Sequence, residues 1–228
     1  MASATTNETE SKKRRIFIVD DHPLVREWLA TLINQQTDLT VSGEAGAVAE
    51  GLGLIGAQKP DIAIVDISLE GGSGIELIKE IKAAFPEVAI IVLTMHDEVL
   101  YRERAFRAGA RGYVMKREAT KTILQAIRAV LEGKTYVSQK RADAAVGEAG
   151  EQKAFSKAPP VELLSDRELE VFQSLGRGSS TRQIAEELHI GFRTVQTYCA
   201  RIKEKLGLAR ATELLREALR WHDSQGLK

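Results

Sequence analysis

Asp61-Ile62-Ala63-Ile64-Val65-Asp66 decides the fold. Four apolar residues run between two carboxylates, with Pro60 before them and Gly71-Gly72 soon after. A short, unbroken apolar run between such breakers reads as a strand buried on both faces, the kind found in parallel sheets. In open α/β sheets, ligands and chemistry gather outside the carboxyl ends of the strands. Asp66 therefore stands where a reaction would occur. Three other runs share the pattern. Arg15-Ile16-Phe17-Ile18-Val19 leads into Asp20-Asp21, Val88 to Thr94 ends in a hydroxyl, and Gly112-Tyr113-Val114-Met115 leads into Lys116. As parallel neighbours these strands bring three carboxylates, a hydroxyl and an ammonium to one edge. That set suits a divalent cation and a phosphoryl group better than it suits a core.

Around this strand the chain alternates β and α. The spacing predicts strands at about 15–20, 39–44, 61–66, 88–94 and 112–115. Helices are predicted at about 23–35, 48–58, 75–85, 97–108 and 120–132. Pro23 suits a first helical turn, and Leu24, Trp28 and Leu32 recur at helical spacing. Gly51, Gly53 and Gly56 weaken the second helix. Alternation of this kind defines a doubly wound parallel sheet, here of five strands. Apolar periodicity then lapses until Pro159-Pro160, so residues 135–160 read as a linker and residues 1–13 as a polar, disordered tail. The remainder is helical. Ser165-Asp166-Arg167-Glu168 and Ser180-Thr181-Arg182-Gln183 are capping boxes, and His189-Ile190-Gly191 is a tight turn before a helix at about 193–206. A last helix covers about 212–221. Two short helices joined by such a turn describe a helix-turn-helix. The expected domains are thus 14–134 and 161–224.

Bulk composition excludes several classes. Thirty-two basic residues balance thirty-two acidic ones among 228, so nucleic acid or membrane binding needs a local patch rather than a global charge. One cysteine, Cys199, permits no internal disulfide, and no apolar run approaches a membrane span. With no apolar stretch among the first fifteen residues, the expected location is cytoplasmic and the membrane is no partner.

Asp20, Asp21 and Asp66 can offer oxygen ligands to Mg²⁺, and Asp66 can also attack a phosphoryl group. Lys116 adds positive charge and Thr94 a hydrogen-bond donor. Each residue has a plainer reading. Asp20 could cap the helix at Pro23, Lys116 alone could be a solvated charge, and Tyr113 alone could be core. Convergence at the strand ends is what favours the site. His22 and His96 read as ordinary loop residues beside it.

On these residues, 14–133 resembles the receiver domain of bacterial two-component response regulators. The resemblance implies a flavodoxin-like fold and phosphorylation of Asp66 by a sensor histidine kinase or a small phosphodonor. It implies Mg²⁺ held by Asp21, Asp66 and the Ser68 backbone carbonyl, with Asp20 on a metal-bound water. Thr94 and Tyr113 would be the switch pair, Tyr113 turning inward on activation. Glu70 and Arg117 stand where the family often has proline.

Leu164 to Trp221 resembles the LuxR-type four-helix DNA-binding domain, with Gln183-Ile184-Ala185, Thr194-Val195 and Ile202 to Gly207 carrying the likeness. Together the halves resemble the NarL/FixJ class. On the third helix of this domain, Val195, Cys199, Ile202 and Leu206 form an inward stripe. Arg193, Gln196, Thr197, Ala200, Arg201 and Lys203 lie opposite, with Lys205 beyond them, and could meet double-stranded DNA. Gln196 and Thr197 would reach base edges; Arg201, Lys203 and Lys205 would reach phosphates. Gln196 and Tyr198 stand where the family often has Lys and His, so the preferred DNA sequence should differ. Cys199 on the packed stripe reads as an inert thiol.

The expected function is a phosphorylation-controlled transcription regulator that dimerises on activation. It is not an enzyme beyond its own phosphoryl transfer and dephosphorylation. An alternative is a phosphorylation-independent DNA binder whose receiver only dimerises or docks a protein. A hydrolase using Asp66 ranks last, because no second catalytic acid or substrate-pocket insertion accompanies it.

Overall fold

The computed structural model describes residues 13–69, 72–95, 99–138 and 161–224. The tail, Glu70, His96 and most of the expected linker lie outside them.

Strands β1 (Arg14–Val19), β2 (Leu39–Ala45), β3 (Ile62–Val65), β6 (Ala89–Thr94), β7 (Gly112–Met115) and β8 (Tyr136–Val137) form one sheet ordered β2-β1-β3-β6-β7-β8. All its pairings are parallel. Strands β4 (Ser68–Leu69) and β5 (Gly72–Ser73) make a small antiparallel pair beside Asp66. The expected count of five strands is therefore corrected to six in the main sheet. The sixth is a two-residue strand, too short to carry any period, that extends the sheet beyond β7. It takes residues 136–137 out of the expected linker.

Helices cover both faces. The alternation in β1 sends Ile16 and Ile18 toward α1 (Pro23–Asn34) and α5 (Ala119–Leu131). Phe17 and Val19 face the side of α2 (Val48–Gln58), α3 (Gly74–Ala84) and α4 (Val99–Ala108). Strands β3 and β6 divide in the same way, Ile62, Ile64, Ile91 and Leu93 to one face and Ala63, Val65, Ile90 and Val92 to the other. Both faces being buried explains why these strands read as unbroken apolar runs. The strand order reverses between β1 and β3, which places a crevice at their carboxyl ends.

The second unit comprises α6 (Asp166–Gly176), α7 (Thr181–Glu187), α8 (Phe192–Lys205) and α9 (Ala211–Ser224). Both capping boxes form as the sequence predicts. Ser165 and Ser180 each accept from a backbone amide three residues on, and Glu168 and Gln183 reach back to the cap amides. Gly191 caps α8 without a side-chain bond. The turn before it depends on His189, a non-glycine residue at φ +50. Phe172 and Trp221 pack tilted at 59°, with ring centroids 6.0 Å apart, and hold α6 against α9.

The two units touch. Asp166 at the start of α6 lies 2.8 Å from Arg104 on α4 and 3.4 Å from Lys79 on α3. Arg104 also donates to the Val161 carbonyl at 3.2 Å. Arg167 donates to the Leu69 carbonyl at 3.0 Å.

Candidate functional site

The ends of β1, β3, β6 and β7 deliver the expected groups to one crevice. Asp20 and Asp66 are buried there, anchored by backbone bonds from Asp20 to Ala45 (3.1 Å) and from Asp66 to Val19 (2.9 Å). Lys116 follows β7, and its Nζ lies 2.7 Å from Asp66 Oδ2 and 2.8 Å from Asp20 Oδ2. Thr94 closes β6, fully buried, and Tyr113 is buried on β7. Tyr113 is thus already inward in this structure, where the resemblance would have it turn inward on activation. Asp20 does not cap α1, whose N-cap is His22; its Oδ1 instead accepts from the His22 amide at 2.9 Å, a turn just before the helix.

Burial pushes the Asp66 carboxyl up from 3.8 to about 6; Lys116 pulls it back, while Asp20 and Asp21 add to the rise. Burial also works against the Lys116 ammonium, but Asp66 and Asp20 outweigh it and hold its pKa above the ordinary value. At neutral pH Asp66 is therefore mostly ionised, as a nucleophile must be. One lysine among three carboxylates leaves surplus negative charge, which a divalent cation would neutralise. Ligand atoms of Asp20, Asp21, His22 and Asp66 all lie within 4.8 Å of one another, so the set can hold a metal.

Glycine makes the loop after Asp66 possible. A Cβ on Gly74 would stand 1.8 Å from the Asp66 carbonyl oxygen. The Gly74 amide also donates to Ile67 at 2.7 Å, drawing the start of α3 tightly under the loop. Ser68 sits in β4, its amide 3.4 Å from Asp66 Oδ1.

On α8, Val195 and Ile202 are buried, with Cys199 and Leu206 half-buried against the same core. Burial pushes the Cys199 thiol up, with Lys203 only partly opposing, so the thiol is a poor nucleophile. Arg193, Gln196, Thr197, Ala200 and Arg201 are exposed, and Lys203 is half-buried. Lys205 stands apart from the others. Its Nζ lies 2.6 Å from Glu168, an ion pair that closes the base of α8 onto α6.

Three features escaped the sequence reading. His22 joins the carboxylates. Arg104 and Lys79 clamp Asp166, which by itself reads only as an acid favoured at a helix start. The third is Glu170, buried and paired with Arg167, with its carboxyl pushed up to about 7 by burial and, further, by the charges of Asp166 and Asp66. The clamp on Asp166 joins residues 62 and 87 positions apart, which no sequence spacing announces.

A parallel sheet with an acidic crevice and a lysine at its carboxyl edge, joined to a helix-turn-helix, defines a receiver coupled to a DNA reader. Known proteins agree. The response regulator receiver domain family matches residues 16–128, and the luxR family of bacterial regulatory proteins matches residues 162–218. The oxygen regulatory protein NreC of Staphylococcus aureus is 35% identical over 210 residues, 90% of this chain and 97% of its own. A LuxR-family two-component response regulator from an Aurantimonas species is 37% identical, with a TM-score of 0.55 over 57% of this chain and 94% of that one. RcsB of Salmonella enterica serovar Typhimurium, solved bound to a promoter, is 25% identical, with a TM-score of 0.58 over 90% of this chain and 98% of that one. The chain belongs to the two-component response regulators that join a receiver domain to a LuxR-type helix-turn-helix. It is a DNA-binding transcription regulator rather than a metabolic enzyme, and histidine kinases and DNA are its partner classes. Among the described residues no helix is long and apolar enough to cross a membrane.

Proposed function

We propose that Asp66 is the phosphoacceptor and that its phosphorylation controls DNA binding by residues 161–224 through the receiver at 14–134. The observation that carries this reading is the position of Lys116, within 2.8 Å of both Asp66 and Asp20 at the crevice mouth. An Asp66 oxygen attacks phosphorus, and the bond from phosphorus to the donor nitrogen of the kinase histidine breaks, its electron pair leaving on nitrogen. Lys116 then holds a phosphoryl oxygen, and Thr94 donates to another. Asp21, Asp66 and the Ser68 carbonyl would hold Mg²⁺, with Asp20 on a bound water. The ion supplies neutralisation of charge on the phosphoryl oxygens. In dephosphorylation water attacks phosphorus and the bond from phosphorus to the Asp66 oxygen breaks, freeing the carboxylate and releasing inorganic phosphate.

The Thr94–Tyr113 pair would pass the change to the face of α4, β7 and α5. Arg193, Gln196, Thr197, Ala200, Arg201 and Lys203 would read DNA. Five of these six are exposed while α6 is docked on the receiver. This favours control by dimerisation, which links two weak DNA modules, over control by uncovering the reading helix. The setting is the cytoplasm.

The test is binding to genomic fragments with and without acetyl phosphate and Mg²⁺, beside Asp66→Asn, with mass followed by light scattering. Donor should strengthen binding and raise mass for the wild type only. Equal binding by both proteins in all conditions would instead leave the receiver as a docking module.

A further inference from the structure

We propose that Phe192 is a specificity-determining residue of the DNA-reading helix, recognising the C5-methyl group of a thymine in the major groove. The proposal rests on α8 being the helix that reads DNA, and it adds an apolar contact to the polar and basic ones assigned there.

Phe192 opens α8, directly after the Gly191 cap. Its side chain stays 42% exposed, while Ile190 before it and Tyr198 beyond it pack against the core of this unit. Leaving a phenyl ring in water forgoes the gain from burying it, and phenylalanine forms helix less readily than alanine, so neither core nor helix accounts for the residue. Its place on α8 decides what the ring can meet. Residues four apart stand one above the other on a helix, so Phe192, Gln196 and Ala200 form one row. All three are exposed. Recognition helices bring their N-terminal residues to base edges, and Phe192 is at that end. The first turn of α8 carries no acidic residue, so no carboxylate of its own repels the DNA backbone there.

Thr197 adds to the apolar character of this face. Its hydroxyl donates to the Arg193 carbonyl at 3.0 Å. With the hydroxyl proton held by the backbone, Thr197 offers a base edge its methyl and an acceptor, not a donor. Beside Gln196 the reading face therefore presents an aromatic ring and the methyls of Thr197 and Ala200.

The ligand group follows from that chemistry. In the major groove every base pair shows donors and acceptors, and thymine adds a methyl. A phenyl ring has no donor or acceptor of the usual kind, so the methyl is the feature it can select. Gln196 suits adenine, which it can pair with bidentately. One helical turn advances about 5.4 Å and base pairs are about 3.4 Å apart, so the thymine met by Phe192 should lie within about two base pairs of that adenine.

The experiment uses the full chain with acetyl phosphate and Mg²⁺ and a duplex selected from random DNA by the wild type. Each thymine of one half-site is replaced in turn by deoxyuridine, which pairs as thymidine does but lacks the methyl. Affinities are measured for wild type, Phe192→Ala, Phe192→Leu and Gln196→Ala. Wild type should lose about three- to fivefold at one thymine, the effect of withdrawing one methyl from an apolar contact. Phe192→Ala should bind the thymine duplex more weakly than wild type does and should barely distinguish it from the deoxyuridine duplex. Phe192→Leu, still apolar, should keep part of the discrimination. The readout is a ratio between two duplexes for the same protein, so a smaller folded fraction in a variant cancels. If Phe192→Ala loses as much as wild type when the methyl is withdrawn, the ring does not read it and the proposal is overturned. A wild type indifferent to every thymine methyl overturns it as well. If Gln196→Ala and Arg201→Ala also bind the selected duplex as the wild type does, α8 is not the reading helix, a failure distinct from that of Phe192.

Discussion

Replacing Asp66 by Asn should stabilise the receiver when no metal is present. The carboxyl is 3% exposed, and Asp20 and Asp21 share its crevice with a single lysine. Burial and those neighbours raise its pKa from 3.8 to about 6. The ionised form is therefore disfavoured by about 3 kcal/mol relative to the protonated one. Asn keeps the shape and removes the charge. At pH 7.5 the variant should gain about 2–3 kcal/mol, less whatever Lys116 loses as its 2.7 Å partner disappears. The sign depends on pH. Between 3.8 and 6 the folded protein holds the proton more tightly than the unfolded chain, so Asp66 favours folding below about 4, and that contribution is lost as pH rises through 6. The advantage of Asn should accordingly vanish near pH 4. Metal should reverse the comparison at pH 7.5, because an ion that binds only the folded wild type stabilises it by mass action. Urea unfolding, followed by Trp28 in a Trp221→Phe background, isolates the receiver, since the chain has two tryptophans and these lie one in each unit. A variant less stable than wild type at pH 7.5 without metal, or a difference that does not change with pH, refutes the reasoning.

Four further outcomes follow from the geometry. Gly74→Ala places a methyl 1.8 Å from the Asp66 carbonyl, so the loop must move; a loss on the order of 3 kcal/mol and a collapse of acetyl phosphate labelling are expected, by denaturation and phosphate-affinity gels. Ile202→Ala empties a fully buried position on α8 and should cost about 2–4 kcal/mol in the thermal transition of the DNA-binding unit. Glu170, with its carboxyl raised to about 7, favours the docked fold below the ordinary carboxylate range and loses that contribution as pH rises through 7. Glu170→Gln should flatten the fall in stability between pH 4.5 and about 7. Arg201→Ala should weaken DNA binding across sequences and lower the salt slope by about one, whereas Lys205→Ala should chiefly destabilise the fold through its Glu168 partner.

Much of this protein is determined by local sequence, because the signals are local. Burial on both faces makes β1, β3 and β6 unbroken apolar runs, so their ends and the residues beyond them (Asp20, Asp66, Thr94) can be placed without a structure. The two capping boxes form within four residues of chain, and both appear where Ser165 and Ser180 announce them. The stripe of Val195 and Ile202 follows from the helical repeat alone. Tertiary structure decided what depends on distance in the chain. Strand β8 exists because Tyr136 and Val137 find β7, not because two residues prefer to be extended. Lys205 reads from the sequence only as a basic residue of α8, and it is the packing of α6 that brings Glu168 to it, 37 positions away. Asp166 looks like a helix-start acid until Arg104 and Lys79 close on it. His22 looks like a loop residue until Pro23 and the Asp20 carboxylate turn its ring into the crevice. A side chain's type is written in the sequence, but its partner is chosen by the packing of elements that no local pattern encodes.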